Sequence, residues 1–230
     1  MKPLLSESED NEALKALGKA SVQIVHDLKN QLNGLKLYAT FLRNRLEKSG
    51  RPDDELDTVR KLMAGLDRTA KDVSLIVEYG RPLQPRKQPG TDLERILREV
   101  VAGLNAENLS DKPAVTGGFA GSVVLVSEGD SLIGAFDPAL LTDALKSISL
   151  AALRLVSGKT TALEIRLKPE GLQTAVIEWK VFDSSDHDPF NSFAGSNEIR
   201  LSLAAKVIEA HGGSAKRQDG SFFVRLPLAS

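Results

Sequence analysis

The sequence predicts an α+β fold class: a helical hairpin forming a dimeric four-helix bundle, followed by an α/β sandwich of one sheet against about three helices. Three observations predict it. Apolar residues between Leu14 and Val77 recur in steps of three, four and seven, the period of one helix face. A stretch rich in proline and base, Gly80-Arg81-Pro82-Leu83-Gln84-Pro85-Arg86-Lys87-Gln88-Pro89-Gly90, then breaks the pattern. From Thr91 onward short β-prone runs alternate with helical ones.

Taken in order, residues 1–10 include Ser6-Glu7-Ser8-Glu9-Asp10 with little to bury, so they are expected to form a flexible tail. A first helix is expected over 11–48, with Leu14, Leu17, Ile24, Leu28, Leu35 and Leu42 as its seam and small Ser21 filling one position. Gly50 and Pro52 punctuate it. A second helix carries Leu56, Val59, Met63, Leu66, Ala70, Val73 and Val77 to about Tyr79, so residues 11–80 form the hairpin. An isolated hairpin leaves a flank of each seam in water, and a second copy covers it most simply, hence a homodimer. Residues 81–90 are expected to be an extended linker.

Residues 91–230 form the second domain. Thr91-Asp92-Leu93-Glu94 has the pattern of a capping box and opens a helix through Leu93, Ile96, Leu97, Val100 and Leu104. Strands are expected at 123–126, 163–167, 174–182 and 222–226, and helices at 138–156, begun by Asp137-Pro138, and 199–210, ended by His211-Gly212-Gly213. Pro169-Glu170-Gly171 and Asp219-Gly220 are hairpin turns.

Composition narrows the function classes. Thirty Lys+Arg against 31 Asp+Glu give a formal charge of −1, so no global field points to nucleic acid or an anionic membrane. The chain has no cysteine, which excludes disulfides and cysteine-ligated metal and suits the cytoplasm. No apolar run approaches the ~20 residues that span a bilayer, so no direct membrane insertion is expected and the reading is a cytoplasmic protein without a sensor segment of its own.

The candidate chemistry sits at Val25-His26-Asp27-Leu28-Lys29-Asn30-Gln31-Leu32. An amphipathic helix that turns an imidazole away from its apolar seam, with a carboxylate beside it and an amide four residues on, is suited to nucleophilic or acid–base work. Taken alone, each of these residues is also an ordinary solvated helix face. His211 reads as a helix C-terminal residue favoured by the dipole, and Asp186-His187-Asp188 as a solvated loop and no metal site.

His26-Asp27-Leu28-Lys29-Asn30, followed by Glu209-Ala210-His211-Gly212-Gly213 and the closing Phe222-Phe223-Val224-Arg225-Leu226-Pro227, resembles the transmitter core of two-component histidine kinases. The resemblance implies a dimerisation and histidine phosphotransfer hairpin and an ATP-binding domain of the histidine kinase ATPase type. It implies catalytic roles for His26 as phosphoryl carrier, Asp27 as its hydrogen-bond partner, Asn30 in orienting water and Lys29 toward the phosphoryl group or an acidic partner. The partners implied are response-regulator receiver domains.

The nucleotide motifs of that family do not carry over. Where it has Asn-Leu-x-x-Asn-Ala, the chain has Ser147-Ile148-Ser149-Leu150-Ala151-Ala152, and Ala151 offers magnesium no oxygen. Where it has Asp-x-Gly-x-Gly, the chain keeps Asp183, a doubtful relic of adenine binding, but has Ser185 and His187 for the glycines. Gly-Leu-Gly-Leu is replaced by Glu198-Ile199-Arg200-Leu201, which presents a carboxylate to a polyanion. The expectation is a degenerate ATP-binding domain in a kinase-like histidine phosphotransferase. No cofactor is expected: ATP and magnesium are not held by this chain, and magnesium for transfer comes with the receiver domain. A divergent ATP-dependent histidine kinase and a non-catalytic dimeric scaffold for a receiver domain are the alternatives.

Overall fold

The computed structural model describes residues 7–49, 53–109, 121–129, 132–156, 162–181, 188–192 and 195–229, the side chains of residues 7–22, 26, 53, 108 and 109 excepted. It divides into two units, Met1–Arg81 and Pro82–Ser230.

The first unit is a hairpin of α1 (Glu7–Lys48) and α2 (Asp53–Gly80). Helix α1 begins at Glu7, inside the stretch expected to be a tail. At its C-terminal end Arg45 and Lys48 place positive charge where the backbone dipole favours it. The expected cap at Gly50 and Pro52 lies outside the described residues. Every residue of the α2 stripe from Leu56 to Val77 is buried or half-buried, as its spacing predicts. Helix α1 departs from its expected seam. Ala39 is 4% exposed and Leu32 and Leu46 are half-buried at seven-residue spacing, whereas Ile24, Leu28, Leu35 and Leu42 are 60%, 44%, 52% and 46% exposed. Lys36, on the Leu32–Ala39 side, pairs with Asp67 of α2 at 2.6 Å. One chain therefore uses one stripe of α1, and a second, rotated by about 40° since its members are four residues removed, stays in water. Leu14, Leu17 and Ser21 belong to the expected seam but their side chains lie outside the described residues.

The second unit contains β1 (Gln88–Asp92), α3 (Leu93–Leu109), β2 (Ser122–Ser127), β3 (Ile133–Phe136), α4 (Pro138–Val156), β4 (Ala162–Glu170), β5 (Thr174–Lys180), a 3₁₀ turn (Pro189–Asn191), α5 (Ser196–Ala210), β6 (Ser214–Gln218) and β7 (Ser221–Pro227). The main sheet has strand order β2-β4-β5-β7-β6, and β1 pairs with β3 in a separate ribbon. Only the β2–β4 pair in the main sheet is parallel, and the connection between its strands includes α4, as a parallel crossover requires. Alternate strand residues Leu163, Ile165 and Leu167, Ala175, Ile177 and Trp179, and Phe222, Val224 and Leu226 are fully buried in one core with Leu97 of α3, Leu145 and Ile148 of α4 and Ile208 of α5. The opposite sheet face carries Arg166–Glu164 and Lys180–Glu164 ion pairs, the alternation of a sheet with one wet side.

Two local readings are corrected. Gln88 to Gly90, expected to be linker, belong to β1, held by the Thr91↔Gly134 and Asp92↔Ile133 pairings. The cap of α3 is Asp92, whose Oδ1 accepts from the Glu94 N–H at 2.9 Å; the Thr91 hydroxyl, which the capping-box pattern assigned to that task, is buried and donates to the Gln88 carbonyl at 2.7 Å. Glu94 turns away to Arg98 and Ser127.

The His-Gly-Gly run has a mechanical explanation. Gly212 N–H donates to the Glu209 carbonyl at 2.8 Å and Gly213 N–H to the Ile208 carbonyl at 3.0 Å, the paired bonds of a Schellman cap, with Gly212 at φ +81°. A Cβ on Gly213 would lie 2.2 Å from the Arg225 carbonyl of β7. The first glycine turns the chain and the second lets it pass the sheet.

Candidate functional site

Residues 26, 27, 29 and 30 fall within little more than one turn of α1. The backbone of His26 is helical and its side chain lies outside the described residues. Asp27, Lys29 and Asn30 are exposed. Residues three and four apart are neighbours on a helix surface, so Lys29 and Asn30 flank the His26 position. Asp27 Oδ1 accepts a hydrogen bond from Gln23 Nε2 at 3.1 Å, one turn back. Asp183, and with it Ser185 and His187, lies outside the described residues.

Lys29 also lines a groove of about 270 Å³ with Ser74, Val77, Glu78 and Arg81 at the C-terminal end of α2. Arg81 falls inside the expected linker 81–90, but helix α2 runs to Gly80, and Arg81 follows Glu78 by three residues and Val77 by four, so it extends the face those residues form.

In the second unit the described residues of 147–152 and 198–201 make internal contacts. Ser149 is fully buried, accepts from Trp179 Nε1 at 2.8 Å and donates to the Leu145 carbonyl at 2.8 Å. Ala151 is buried. At the start of α5 the Glu198 carboxylate accepts from the Ser192 hydroxyl, and Arg154 of α4 donates to Asn197. The 3₁₀ turn seats Phe190, 2% exposed, edge-on against Phe222 with centroids 5.2 Å apart. Asp188 caps that turn by accepting from Phe190 N–H at 3.2 Å. Among the described residues no cluster of three or more His, Cys, Asp or Glu side chains can hold a metal ion.

His211 is the C-cap residue of α5, as its place before Gly212-Gly213 predicts, and it is buried. It is 2% exposed; its Nε2 accepts the Asp137 backbone N–H at 2.9 Å, so the ring proton is on Nδ1, 2.7 Å from the Val207 carbonyl. With both nitrogens engaged, the ring is a structural tie between the end of α5 and the start of α4.

No protein-family model matches the sequence, and no curated protein matches it. Solved structures do resemble the fold. Full-length ShkA in complex with AMPPNP matches with a TM-score of 0.64 at 15% identity, over 92% of this chain and 46% of that one. Histidine kinase ThkA in complex with the response regulator protein TrrA matches with a TM-score of 0.57 at 17% identity, over 97% of this chain and 65% of that one. Acinetobacter baumannii histidine kinase AdeS matches with a TM-score of 0.50 at 14% identity, over 85% of this chain and 96% of that one. The chain thus spans less than two thirds of the ShkA and ThkA chains. The helical region followed by an α/β sheet domain is the fold of a histidine kinase core. No helix among the described residues is long and apolar enough to cross a membrane.

Proposed function

We propose that the chain is a cytoplasmic two-component phosphorelay protein in which His26 carries a phosphoryl group exchanged with the aspartate of response-regulator receiver domains. The observation that carries this reading is the contrast between the two units. The His26 turn presents Asp27, Lys29 and Asn30 to solvent beside a groove with two cations, while Glu198, Ser192 and Phe190 fill the approach to α5. Supporting it, the similarly folded ThkA was solved with a response regulator.

A neutral imidazole, with a free-solution pKa of about 6.5, attacks the phosphorus of an aspartyl phosphate. The new N–P bond forms as the P–O bond to the carboxyl breaks, and the aspartate leaves with the electron pair. Asp27 supports the positive charge that develops on the ring, and Asn30, one turn on, orients a water when the phosphohistidine is hydrolysed. Any magnesium used belongs to the receiver domain. In this reading the functional unit is a homodimer whose two hairpins form a four-helix bundle, and the water-exposed second stripe of α1 supports it.

The test is transfer from a labelled phospho-receiver domain, run beside calorimetry with ATP–magnesium. An acid-labile label lost in His26→Ala, with no heat from nucleotide, is expected. Nucleotide binding with autophosphorylation would make the chain a divergent ATP-dependent kinase, consistent with its likeness to ShkA, solved with AMPPNP. Receiver binding without transfer in either direction would make it a scaffold.

A further inference from the structure

We infer that Lys29 and Arg81 form an anion cradle that holds the phosphoryl group of phosphorylated His26; this rests on the carrier role proposed above. The groove brings together Lys29 of α1 and Arg81, the residue that follows α2, beside the apolar wall of Val77; the Ser74 hydroxyl that also lines it is committed to the Ala70 carbonyl at 2.8 Å. Lys29 is one turn from His26 and on the adjacent side of α1. Arg81 follows the last turn of α2, its backbone N–H donating to the Glu78 carbonyl at 3.2 Å, so the guanidinium base is fixed by the helix end. A phosphoryl group on histidine carries nearly two negative charges and three acceptor oxygens, which a planar guanidinium and an ammonium complement.

Glu78 lines the same groove and repels a dianion. Two cations outnumber it, and its presence suits a transient carrier: it limits retention of free phosphate while the covalent N–P bond keeps the phosphoryl group at high local concentration. A groove for a permanent anion would have no use for that carboxylate. The helix C-terminus adds partial negative charge in the same sense. The sites therefore differ in purpose from the start of α5, where a single carboxylate is closed onto Ser192.

Phosphoramidate tests this without a receiver domain, so partner docking does not enter. The ring nitrogen forms an N–P bond as the P–N bond of the N-protonated donor breaks; ammonia leaves with that electron pair and the ring becomes a phosphoimidazolium. On the full chain, Lys29→Gln and Arg81→Gln are each expected to slow acid-labile labelling about five- to tenfold, the loss of a partly solvated charge-assisted bond. Arg81→Lys should restore most of the rate, and Lys71→Gln, a charge removed elsewhere on α2, should not change it. Far-UV circular dichroism identifies a misfolded variant, and the two test residues lie on different segments of the hairpin, so either one decides. Wild-type labelling that is lost in His26→Ala but unchanged in both Gln variants would overturn the cradle alone. An unlabelled wild type, or undiminished labelling of His26→Ala, would overturn the carrier role and the cradle with it.

Discussion

The backbone N–H of Asp137 donates to Nε2 of His211 at 2.9 Å, tying the N-cap of α4 to the C-cap of α5. The opposite ring nitrogen faces the Val207 carbonyl, and Phe136 packs tilted against the ring with centroids 6.0 Å apart. His211→Ala removes the acceptor of a buried N–H and opens a cavity. It is expected to cost about 2–4 kcal/mol. Urea unfolding followed by Trp179, the only tryptophan and fully buried in the second unit, checks this. Phosphoryl labelling of His26 should survive, since the ring has no part in transfer.

Asp137 has a second role. Burial is the largest single influence on its carboxyl and opposes ionisation, but the backbone N–H groups of Arg86, Leu140 and Ala139 outweigh it and hold the group below the usual carboxylate value. Arg86 N–H donates at 2.8 Å and Leu140 N–H at 3.1 Å, so one side chain both caps α4 and fastens the segment entering β1. A carboxyl whose folded value lies below its unfolded value contributes its full stability above about pH 4 and loses it as pH falls through the folded value. Trp179-monitored urea midpoints should therefore drop between pH 6 and pH 3. Asp137→Ala should cost about 1 kcal/mol at pH 6, the size of a lost N-cap, and show a smaller further drop in acid.

The degree to which the sequence disclosed this molecule follows from where each interaction is recorded. The α2 stripe, the Asp137-Pro138 start of α4 and the Asp219-Gly220 turn were legible because period and backbone preference are local; Asp219 and Gly220 indeed both take positive φ, +48° and +71°. The β1–β3 ribbon was not, since Gln88–Asp92 contains Pro and Gly, Ile133–Phe136 is four residues long, and neither has meaning without its partner. The two stripes of α1 share one heptad spacing and separate only when burial is known. Arg81 joined the site through α2 continuing to Gly80, beyond the position where the apolar pattern stops.

Ser149 ties α4 to β5 inside the second unit. Its hydroxyl is both acceptor for Trp179 Nε1 and donor to Leu145. Ser149→Ala removes the hydroxyl and strands the buried indole N–H. A loss of about 1–3 kcal/mol is expected, equivalent to a few degrees in melting temperature for a domain of this size. A shifted Trp179 emission maximum should accompany it. Ser149→Thr, which keeps the hydroxyl, should recover most of the loss if its methyl group is accommodated.

The exposed stripe of α1 makes the remaining prediction. Leu28, Leu35 and Leu42 repeat at seven residues, and Leu62 and Ile76 of α2 are likewise exposed. Each of these side chains is about half exposed and forgoes roughly half of the ~1.5–3 kcal/mol that full burial gives, so five of them are a sizeable incentive to associate. Ridges spaced by seven fit helices that cross at a shallow angle, which favours a second hairpin over a flat partner. A glutamate at Leu35 or Leu42 would carry its charge into that seam in both copies at once, so a single substitution acts twice. Light scattering should give the wild type twice the 24.8 kDa of one chain and the Leu35→Glu and Leu42→Glu variants a mass approaching 24.8 kDa. Leu172→Glu, at a 96% exposed turn in the second unit, should leave the mass at the wild-type value. A wild type that stays monomeric at high micromolar concentration would leave the stripe to another partner and remove the four-helix bundle.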